Sequence, residues 1–386
     1  MKSIRYFLLV FILLFSGCNQ PRLVFERPGS VDLRSELSAG KTIQLDGLYR
    51  FYPGVFLSQN PEATNYIAAP VPGPWDLYSL PGNKRMGPTG FGTFELEVKV
   101  PQAKDRLALD VSDIGTAYRL YIDGELVGEK GKAASDPARH RPEVGQEIYH
   151  FVSKGPLLDI RLEVSNFSYR KGGIWNPITI GPAGDIVRDD SLDRSIQILL
   201  IGILLIMGLY HSGFFLIRKQ ETSLFFFGVA CFLIAVRELT LGPRLLPLLV
   251  PYFSWAAYLR LEYICFFLAL PTFAYYLWAL FPGYFSIMAA RFFLFCGVVS
   301  TVFVCSSQPL LFSSIIPYFQ ILSLVFLLYG LGAAIRAALH GHSGARTILV
   351  SGGIMGLTVI HDALLLHYVV EGQRMVALGQ IQFVVA

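Results

Sequence analysis

The chain has 386 residues, of which 53% are hydrophobic and 14% aromatic, and its formal net charge is only +4 at pH 7. Charged residues are scarce and form no basic stripe, which excludes a nucleic-acid-binding protein. From about residue 196 onward the chain is almost continuously apolar. A helix needs roughly 20 apolar residues to cross a hydrocarbon core about 30 Å thick, and this half is long enough for several crossings. The composition predicts a polytopic membrane protein.

Residues 1–18 have the pattern of a secretory signal peptide. Lys2 and Arg5 precede an apolar stretch, and small residues follow it before Cys18. The four residues ending at Cys18 resemble a bacterial lipobox, which predicts cleavage before Cys18 and lipidation of this cysteine, although Phe15 stands where leucine is usual. An ordinary signal peptide and an uncleaved anchor remain the alternatives. In each case the segment that follows is expected to be exported.

Residues 30–188 are predicted to form a periplasmic all-β sandwich. Short segments alternate between polar and apolar residues, as strands do when one face is buried and the other is in water. The Asp123-Gly124 pair between two such segments is typical of a tight hairpin turn. The other four cysteines all lie in the apolar half, so an ordinary hydrophobic core must stabilise this domain. The clearest alternating segments are 94–100, 107–111 and 160–164.

Four residues of this domain are candidates for ligand binding. Trp75 and Trp175 could stack on the face of a sugar, while Asn166 and Arg170 could hydrogen-bond to hydroxyl or carboxylate groups. The alternative interpretation is that both tryptophans belong to the core or its rim and that Asn166 closes a loop. Two carboxylate pairs are interpreted as solvated strand faces and not as a glycosidase site: Asp110 with Asp113, and Glu125 with Glu129.

Residues 194–386 are predicted to form a seven-helix membrane bundle whose seventh helix is truncated. The positive-inside bias of the connections is weak, so the signal peptide determines the expected orientation, with the N-terminal domain outside. The predicted helices cover about 196–217, 222–242, 257–281, 286–306, 311–335 and 347–370, and the seventh begins near Met375.

Ionisable residues within these helices require an explanation, because a charge in hydrocarbon costs several kcal/mol unless it is paired or hydrated. Arg237, Arg260 and Glu262 fall near the outer ends of the second and third helices and are predicted to form an ion-pair network beneath the exported domain. Snorkelling of these side chains into the headgroup region is the alternative. Asp362 follows His361 directly, so the two should point about 100° apart on a helix, which favours a polar patch over a catalytic pair.

Several sequence segments resemble a known family. In chain order they read LDGLYRFY, VPGPW, GFGTF, AYRLYIDG and VSNFSYRKGG, and they lie between residues 45 and 173. This series is similar to the extracellular module of the bacterial seven-transmembrane receptors with diverse intracellular signalling modules, the 7TMR-DISM family. The segments 259–263, 271–277 and 280–282 resemble its third helix, and 362–364 its sixth. The resemblance implies a jelly-roll sandwich, similar to the sugar-binding domain of some glycosidases, followed by seven helices.

The resemblance also implies a function. It indicates a multi-pass sensory receptor of the bacterial inner membrane that detects an extracytoplasmic carbohydrate or carboxylated small molecule and signals to a cytoplasmic output domain expected beyond Ala386. Membrane lipids and, as an option, a second copy in a homodimer are the other expected partners. The alternative is a transporter or channel with a periplasmic binding domain, but no convincing internal repeat is present. No motif of an intramembrane enzyme occurs, so we predict no enzymatic activity, catalytic residue, cofactor or metal.

Overall fold

The computed structural model describes residues 25–82, 84–101, 106–342 and 344–366. The predicted signal peptide, the lipidation site Cys18 and the seventh helix near Met375 lie outside these residues. Within them, a β-sheet domain is followed by a helical region.

The β domain contains three sheets among the described residues. Its strands are β1 (Phe25–Arg27), β2 (Ser30–Asp32), β3 (Ile43–Gln44), β4 (Gly47–Pro53), β5 (Ile67–Val71), β6 (Ser79–Leu80), β7 (Lys84–Arg85), β8 (Gly90–Lys99), β9 (Arg106–Val111), β10 (Ala117–Ile122), β11 (Glu125–Lys130), β12 (Glu147–Val152), β13 (Leu157–Asn166) and β14 (Ile178–Pro182). The eight-stranded sheet has the order β1-β2-β8-β13-β10-β11, with β4 beside β8 and β5 beside β4. The four-stranded sheet has the order β12-β9-β14-β3, and β6 pairs with β7. Between these strands only β2 and β8 pair in parallel.

One hydrophobic core lies between the two larger sheets. Leu96 and Leu162 contribute to it from the eight-stranded sheet, and Leu109 and Ile180 from the four-stranded sheet, all without exposed surface. Their neighbours along each strand face the other way, as the period-two alternation predicts. The core therefore confirms a β domain built without a disulfide, while its finer designation as a jelly roll stays a prediction.

Nine α-helices follow or interrupt this β domain in the described residues, besides a short 3-10 helix at Trp75–Leu77. They are α1 (Arg34–Ser38), α2 (Ala183–Ile217), α3 (Thr222–Glu238), α4 (Leu246–Leu249), α5 (Trp255–Leu280), α6 (Ile287–Ser306), α7 (Pro309–Ser313), α8 (Ile316–Leu339) and α9 (Ala345–Leu366). Four described segments are long and apolar enough to cross a membrane: Ala183–Ile217, Trp255–Leu280, Ile287–Ser306 and Pro309–Leu339, the last comprising α7 and α8.

The structure does not confirm seven crossing helices. The second predicted helix is expected to reach residue 242, but α3 ends at Glu238 after 17 residues. At 1.5 Å per residue this is about 25 Å, so α3 lies at the lower limit of the roughly 17–25 residues with which a helix crosses a membrane. Gly242 adopts a left-handed backbone conformation with φ 54°, and Pro243 follows it, so the helix cannot continue there.

The first long helix spans the predicted boundary between the two domains. α2 begins at Ala183, directly after β14, and runs without a break through the segment predicted to separate residues 188 and 194. Its first turns pack on the outer face of the four-stranded sheet, where Ile186 is buried. The β domain and the helical region are therefore connected by one continuous helix.

Candidate functional site at the junction of the β domain and the helices

A buried ion pair joins the β domain to the helical region. Asp113, in the turn between β9 and β10, contacts Arg244, in the connection after α3, with 2.5 Å between Oδ2 and Nη2 and with only 5% and 12% of the two side chains exposed. The other carboxylate oxygen of Asp113 accepts a hydrogen bond from the backbone N–H of Gly145 at 3.1 Å. Burial alone would lower the pKa of Arg244, but the negative charge of Asp113 opposes this effect and the pKa is raised overall. The guanidinium therefore stays charged.

The first residue of α5 makes a second contact with the same turn. The Nε1–H of Trp255 donates to the carbonyl oxygen of Gly115 at 3.1 Å. Gly115 has φ +81°, a conformation that glycine adopts readily, and a Cβ atom at this position would lie 2.6 Å from the ring of Trp175. The glycine therefore allows the ring of Trp175 to approach this turn closely.

Asn166, at the end of β13, shapes the loop that faces the helices. Its Nδ2 donates to the carbonyl oxygens of Pro88, Tyr169 and Lys171 at 2.7, 2.7 and 3.1 Å. Its Oδ1 accepts from the backbone N–H groups of Ser168 and Tyr169 at 3.1 and 2.9 Å. The side chain is fully buried, so it positions this loop and offers no free group to a ligand.

The loop fixed by Asn166 contacts two helices. The hydroxyl groups of Tyr169 and Tyr263, the latter on α5, are 2.8 Å apart. The backbone N–H of Arg170 donates to Oγ of Ser313, the last residue of α7, at 3.3 Å. Burial raises the pKa of Tyr169, so its hydroxyl keeps its proton. We call the set formed by Asp113, Gly115, the loop 166–173 and their helical partners the junction.

The two tryptophans predicted to bind a ligand occupy different environments. Trp75 has no exposed surface, and its Nε1–H donates to the carbonyl oxygen of Pro88 at 3.1 Å. Its ring is enclosed by the core and is not accessible to a ligand. Trp175 is half-buried and stacks on Tyr169 with 6.2 Å between ring centroids. The Nζ of Lys171 lies 5.8 Å from the centroid of the Trp175 ring.

The structure thus divides the four predicted ligand-binding residues into two pairs. Trp75 and Asn166 lie in the interior and support the loop, in agreement with the alternative interpretation. Arg170 belongs to the junction, and Trp175 lies beside the junction, against Gly115 and Tyr169. The Nε of Arg170 is buried and has no hydrogen-bond partner among the described residues.

Two of the predicted intramembrane charges contact a helix end and an aromatic ring. Arg260 donates from Nε and Nη2 to the carbonyl oxygens of Val304 and Ser307 at 3.3 and 3.2 Å. It therefore satisfies carbonyl groups that remain unpaired at the C-terminus of α6. The guanidinium of Arg237 lies over the ring of Phe266, 5.1 Å from its centroid.

The other two predicted intramembrane charges lie on different helices. Glu262 belongs to α5. Burial, Asp113 and Tyr258 have the largest effects on the pKa of Arg244, and the negative charge of Glu262 also raises this pKa. This places Glu262 electrostatically at the junction. Asp362 lies on α9, where its Oδ1 is 3.0 Å from Nδ1 of His361. The spacing predicts that these adjacent side chains diverge, but their rotamers turn them toward each other.

The sequence did not reveal the buried ion pairs on the outer face of the eight-stranded sheet. Glu95 is buried and pairs with both Arg50 and Arg161 at 3.0 Å. Glu163 is buried too and pairs with Arg119 at 2.9 Å. Alternating charges of this kind were interpreted as a solvated face. Opposite charges on adjacent strands could have predicted these ion pairs. Such a prediction requires the strand register, which the sequence alone does not provide.

Asp110 faces the first turns of α2. The Nε2 of Gln146 donates to both carboxylate oxygens of Asp110, at 2.9 and 2.8 Å. Burial raises the pKa of Asp110 to about 6; the Gln146 hydrogen bonds act against this shift, and the charges of Asp190 and Asp193 on α2 add to it. This carboxyl group, which faces the helix that connects the two regions, therefore changes its charge in mildly acidic solution.

About a third of the chain is similar to parts of solved structures. A GH2 β-galacturonidase from Eisenbergiella tayi is 18% identical over 36% of this chain and 24% of its own, with a TM-score of 0.27. A β-glucuronidase from Ruminococcus gnavus is 12% identical over 36% of this chain and 27% of its own, with a TM-score of 0.29. The matched part thus spans about a quarter of each of these enzymes. No curated protein matches the chain.

A family model gives a broader match. The family described as 7TM diverse intracellular signalling matches residues 193–386, which is half of the chain. The match includes α3 to α9 and almost all of the apolar part of α2. The apolar helices and this family assign the protein to the membrane as a multi-pass protein. The chain therefore belongs to the 7TMR-DISM family.

Proposed function

We propose that the protein is a transmembrane sensory receptor of the bacterial inner membrane. Its β domain lies in the periplasm and detects a small molecule, and the helices pass the signal to a cytoplasmic output domain. The protein has no enzymatic activity of its own in this proposal. The family supports the signalling role. The junction supports the transfer of the signal from the β domain to the helices.

The observation that carries this proposal is the junction. Asp113 contacts the connection between α3 and α5, Tyr169 contacts α5 itself, and the backbone of Arg170 contacts α7. A displacement of the turn 112–116 would therefore move the connection between α3 and α5. A displacement of the loop 166–173 would move α5 and the connection that contains α7. Such polar contacts have defined geometry, so they transmit a displacement better than an apolar contact that can slide.

The ligand we propose is a carbohydrate or a carboxylated small molecule bound beside the loop 166–173. Trp175 supplies a half-buried ring for stacking, and Arg170 and Lys171 supply positive charge next to it. Such a ligand could shift the protein between two states only if it bound one arrangement of the junction more tightly than the other. A ligand carboxylate that binds Arg170 meets this condition. Arg170 belongs to the loop that contacts α7, so the strength of such binding depends on the arrangement of the junction.

The proposal can be tested with the full chain in nanodiscs. Neutral sugars, uronates and small carboxylates are screened by thermal shift, and the ligand found is then studied by hydrogen exchange. We expect Arg170→Gln and Trp175→Phe to weaken binding, while Arg106→Gln, a change at an exposed arginine of β9, should not. Ligand binding should also slow exchange in the loop 166–173 and at the start of α5.

Two outcomes would contradict the proposal. Binding that survives both Arg170→Gln and Trp175→Phe would remove this loop from the ligand site. Binding that leaves exchange in α5 unchanged, combined with uptake of the ligand into proteoliposomes, would favour the transporter alternative.

A further inference from the structure

The connection between α3 and α5 exposes several neighbouring apolar side chains at the level of the β domain. In the segment 245–253, Leu248 and Leu249 are each 66% exposed and Tyr252 is 98% exposed. Val250 and Phe253 are exposed as well. In the described β domain, by contrast, exposed large apolar residues such as Leu126 and Leu157 are scattered singly, which is normal for a protein surface. A contiguous apolar patch of this kind indicates a surface that binds something.

The segment 245–253 is attached firmly on its inner side. Leu245 and Leu246 are buried in the cores that the helices share. Arg244 immediately before the segment pairs with Asp113, and Trp255 shortly after it donates to the β domain. The segment therefore lies at the level where the β domain meets the helices, and its exposed side chains point away from both.

Charge distribution indicates what covers this patch. The fifteen residues from Leu245 to Leu259 include no charged side chain, and tyrosine, phenylalanine and tryptophan occur near one end, as they do at membrane interfaces. The connection between α6 and α8 contacts the β domain through Ser313 and exposes the apolar side chain of Leu311. Tyr318, in the first turn of α8, is exposed as well.

The connection between α2 and α3 has a different composition. It contains Arg218, Lys219, Gln220 and Glu221, all of them exposed. Leu245, at the start of the patch, packs in one cluster with residues of α2, and the outer surface of α2 is apolar. The neighbouring phase that matches an uncharged, aromatic-edged patch beside apolar helices is lipid, whereas a soluble protein partner would usually present a polar rim.

We propose that residues 245–253 form an interfacial anchor whose Leu248, Leu249 and Tyr252 insert into the lipid leaflet next to the β domain. Insertion removes apolar surface from water, which is favourable. Because Arg244 at the start of the anchor pairs with Asp113, the anchor also sets the height of the β domain above the membrane. This inference requires only that the protein lies in a membrane, and it is independent of the proposed ligand.

Quenching by brominated phospholipid tests the anchor. The full chain is placed in nanodiscs that hold a single copy, made with brominated or ordinary phosphatidylcholine. Tryptophan is introduced as Tyr252→Trp or Leu249→Trp, and the emission of the four native tryptophans is subtracted by using the unmodified chain. The matched control is Leu126→Trp, at an exposed leucine of the β11 hairpin.

We expect the emission added by Tyr252→Trp and by Leu249→Trp to be largely lost in brominated lipid, and the emission added by Leu126→Trp to be retained. Acrylamide in the aqueous phase should give the reverse order. If both anchor positions behave like Leu126→Trp in single-copy nanodiscs, the proposal is overturned. A patch that becomes protected from acrylamide only when two copies share a nanodisc would then identify a second copy of the chain as its occupant.

Discussion

The ion pair between Asp113 and Arg244 should contribute strongly to stability because both groups are almost excluded from water. Removing one partner of such a pair leaves an uncompensated buried charge, which typically costs about 3–5 kcal/mol. We therefore expect Asp113→Asn to lower the melting temperature of the full chain in detergent clearly. Replacing both residues, as Asp113→Asn with Arg244→Met, should restore part of the loss because no buried charge is left.

The pair formed by Glu125 and Lys154 provides the control for this prediction. Its atoms are 2.6 Å apart, but the two side chains are 69% and 60% exposed. Exposed pairs contribute about 1 kcal/mol or less, so Glu125→Gln should change the melting temperature little. Equal effects of Asp113→Asn and Glu125→Gln would show that the junction pair does not stabilise the contact between the two regions.

Asp110 and His140, whose pKa values burial shifts in opposite directions, should give opposite dependences of stability on pH. The pKa of Asp110 is raised from 3.8 to about 6, so the folded state binds a proton more tightly than the unfolded state and loses stability as pH rises through this range. Burial, with a smaller effect of Arg141, lowers the pKa of His140 from 6.5 to about 4. The unfolded state then binds the extra proton, and stability is lost as pH falls from 6.5 towards 4.

Melting curves between about pH 4 and about pH 8 test this prediction. In the unmodified chain the two contributions partly cancel. We expect Asp110→Asn to melt at higher temperature than the unmodified chain near neutral pH, with the difference disappearing in acid, so that the destabilising effect of His140 remains. Asp136→Asn, at an exposed aspartate, is the control. A constant difference between Asp110→Asn and the unmodified chain at every pH would contradict the assignment.

At the scale of elements, strands could be predicted more reliably than helix ends. The alternating segments around Leu96, Leu109 and Leu162 are strands in the structure, because one buried face imposes a period of two residues. The membrane helices give a weaker signal, since apolar residues lie on all of their faces and composition alone does not locate the ends. This is why α3 was predicted to be longer than it is, and why α2 was not predicted to start within the β domain.

The contacts of the helical connections predict on which side of the membrane each connection lies. Arg244 and Ser313 both contact the β domain, so the connections that contain them belong on its side. A reporter fused after Gln308, close to Ser313, should therefore read periplasmic. Lys219 follows the end of α2 that is distant from the β domain, and His342 follows the corresponding end of α8. Fusions after these two residues should therefore read cytoplasmic. A periplasmic signal after Lys219 would contradict both the orientation and the crossing of α2.

At the scale of the whole molecule, the sequence supplied the residue types of the candidate site but not its arrangement. Asn166, Arg170 and Trp175 were recognised as polar or aromatic groups near a double glycine, yet their orientation depends on the loop that Asn166 itself closes. The pairing of Asp113 with Arg244 joins segments far apart in the chain, and no local pattern predicts such a pair. Asp113 was therefore interpreted as a solvated strand residue, although it is one of the most buried charges.

The contact between the β domain and the helices should open more often when the hydrogen bonds of the junction are removed and the ion pair is kept. Trp255→Phe, Tyr263→Phe and Ser313→Ala each delete one hydrogen bond to the β domain. Each bond contributes on the order of 1 kcal/mol, which corresponds to a change of about fivefold in a local opening equilibrium. We therefore expect the triple variant to exchange backbone hydrogens much faster in the loop 166–173.

The strands of the β domain core should keep their protection in this variant, because the core lies entirely between the two sheets and includes none of the three replaced residues. A variant with Ser323→Ala, Ser351→Ala and Thr358→Val, which deletes hydroxyl groups bonded within their own helices, controls for general destabilisation. Unchanged exchange in the loop would mean that these bonds do not hold the regions together. If they do, a ligand that binds the β domain should still bind the triple variant but should no longer slow exchange at the start of α5.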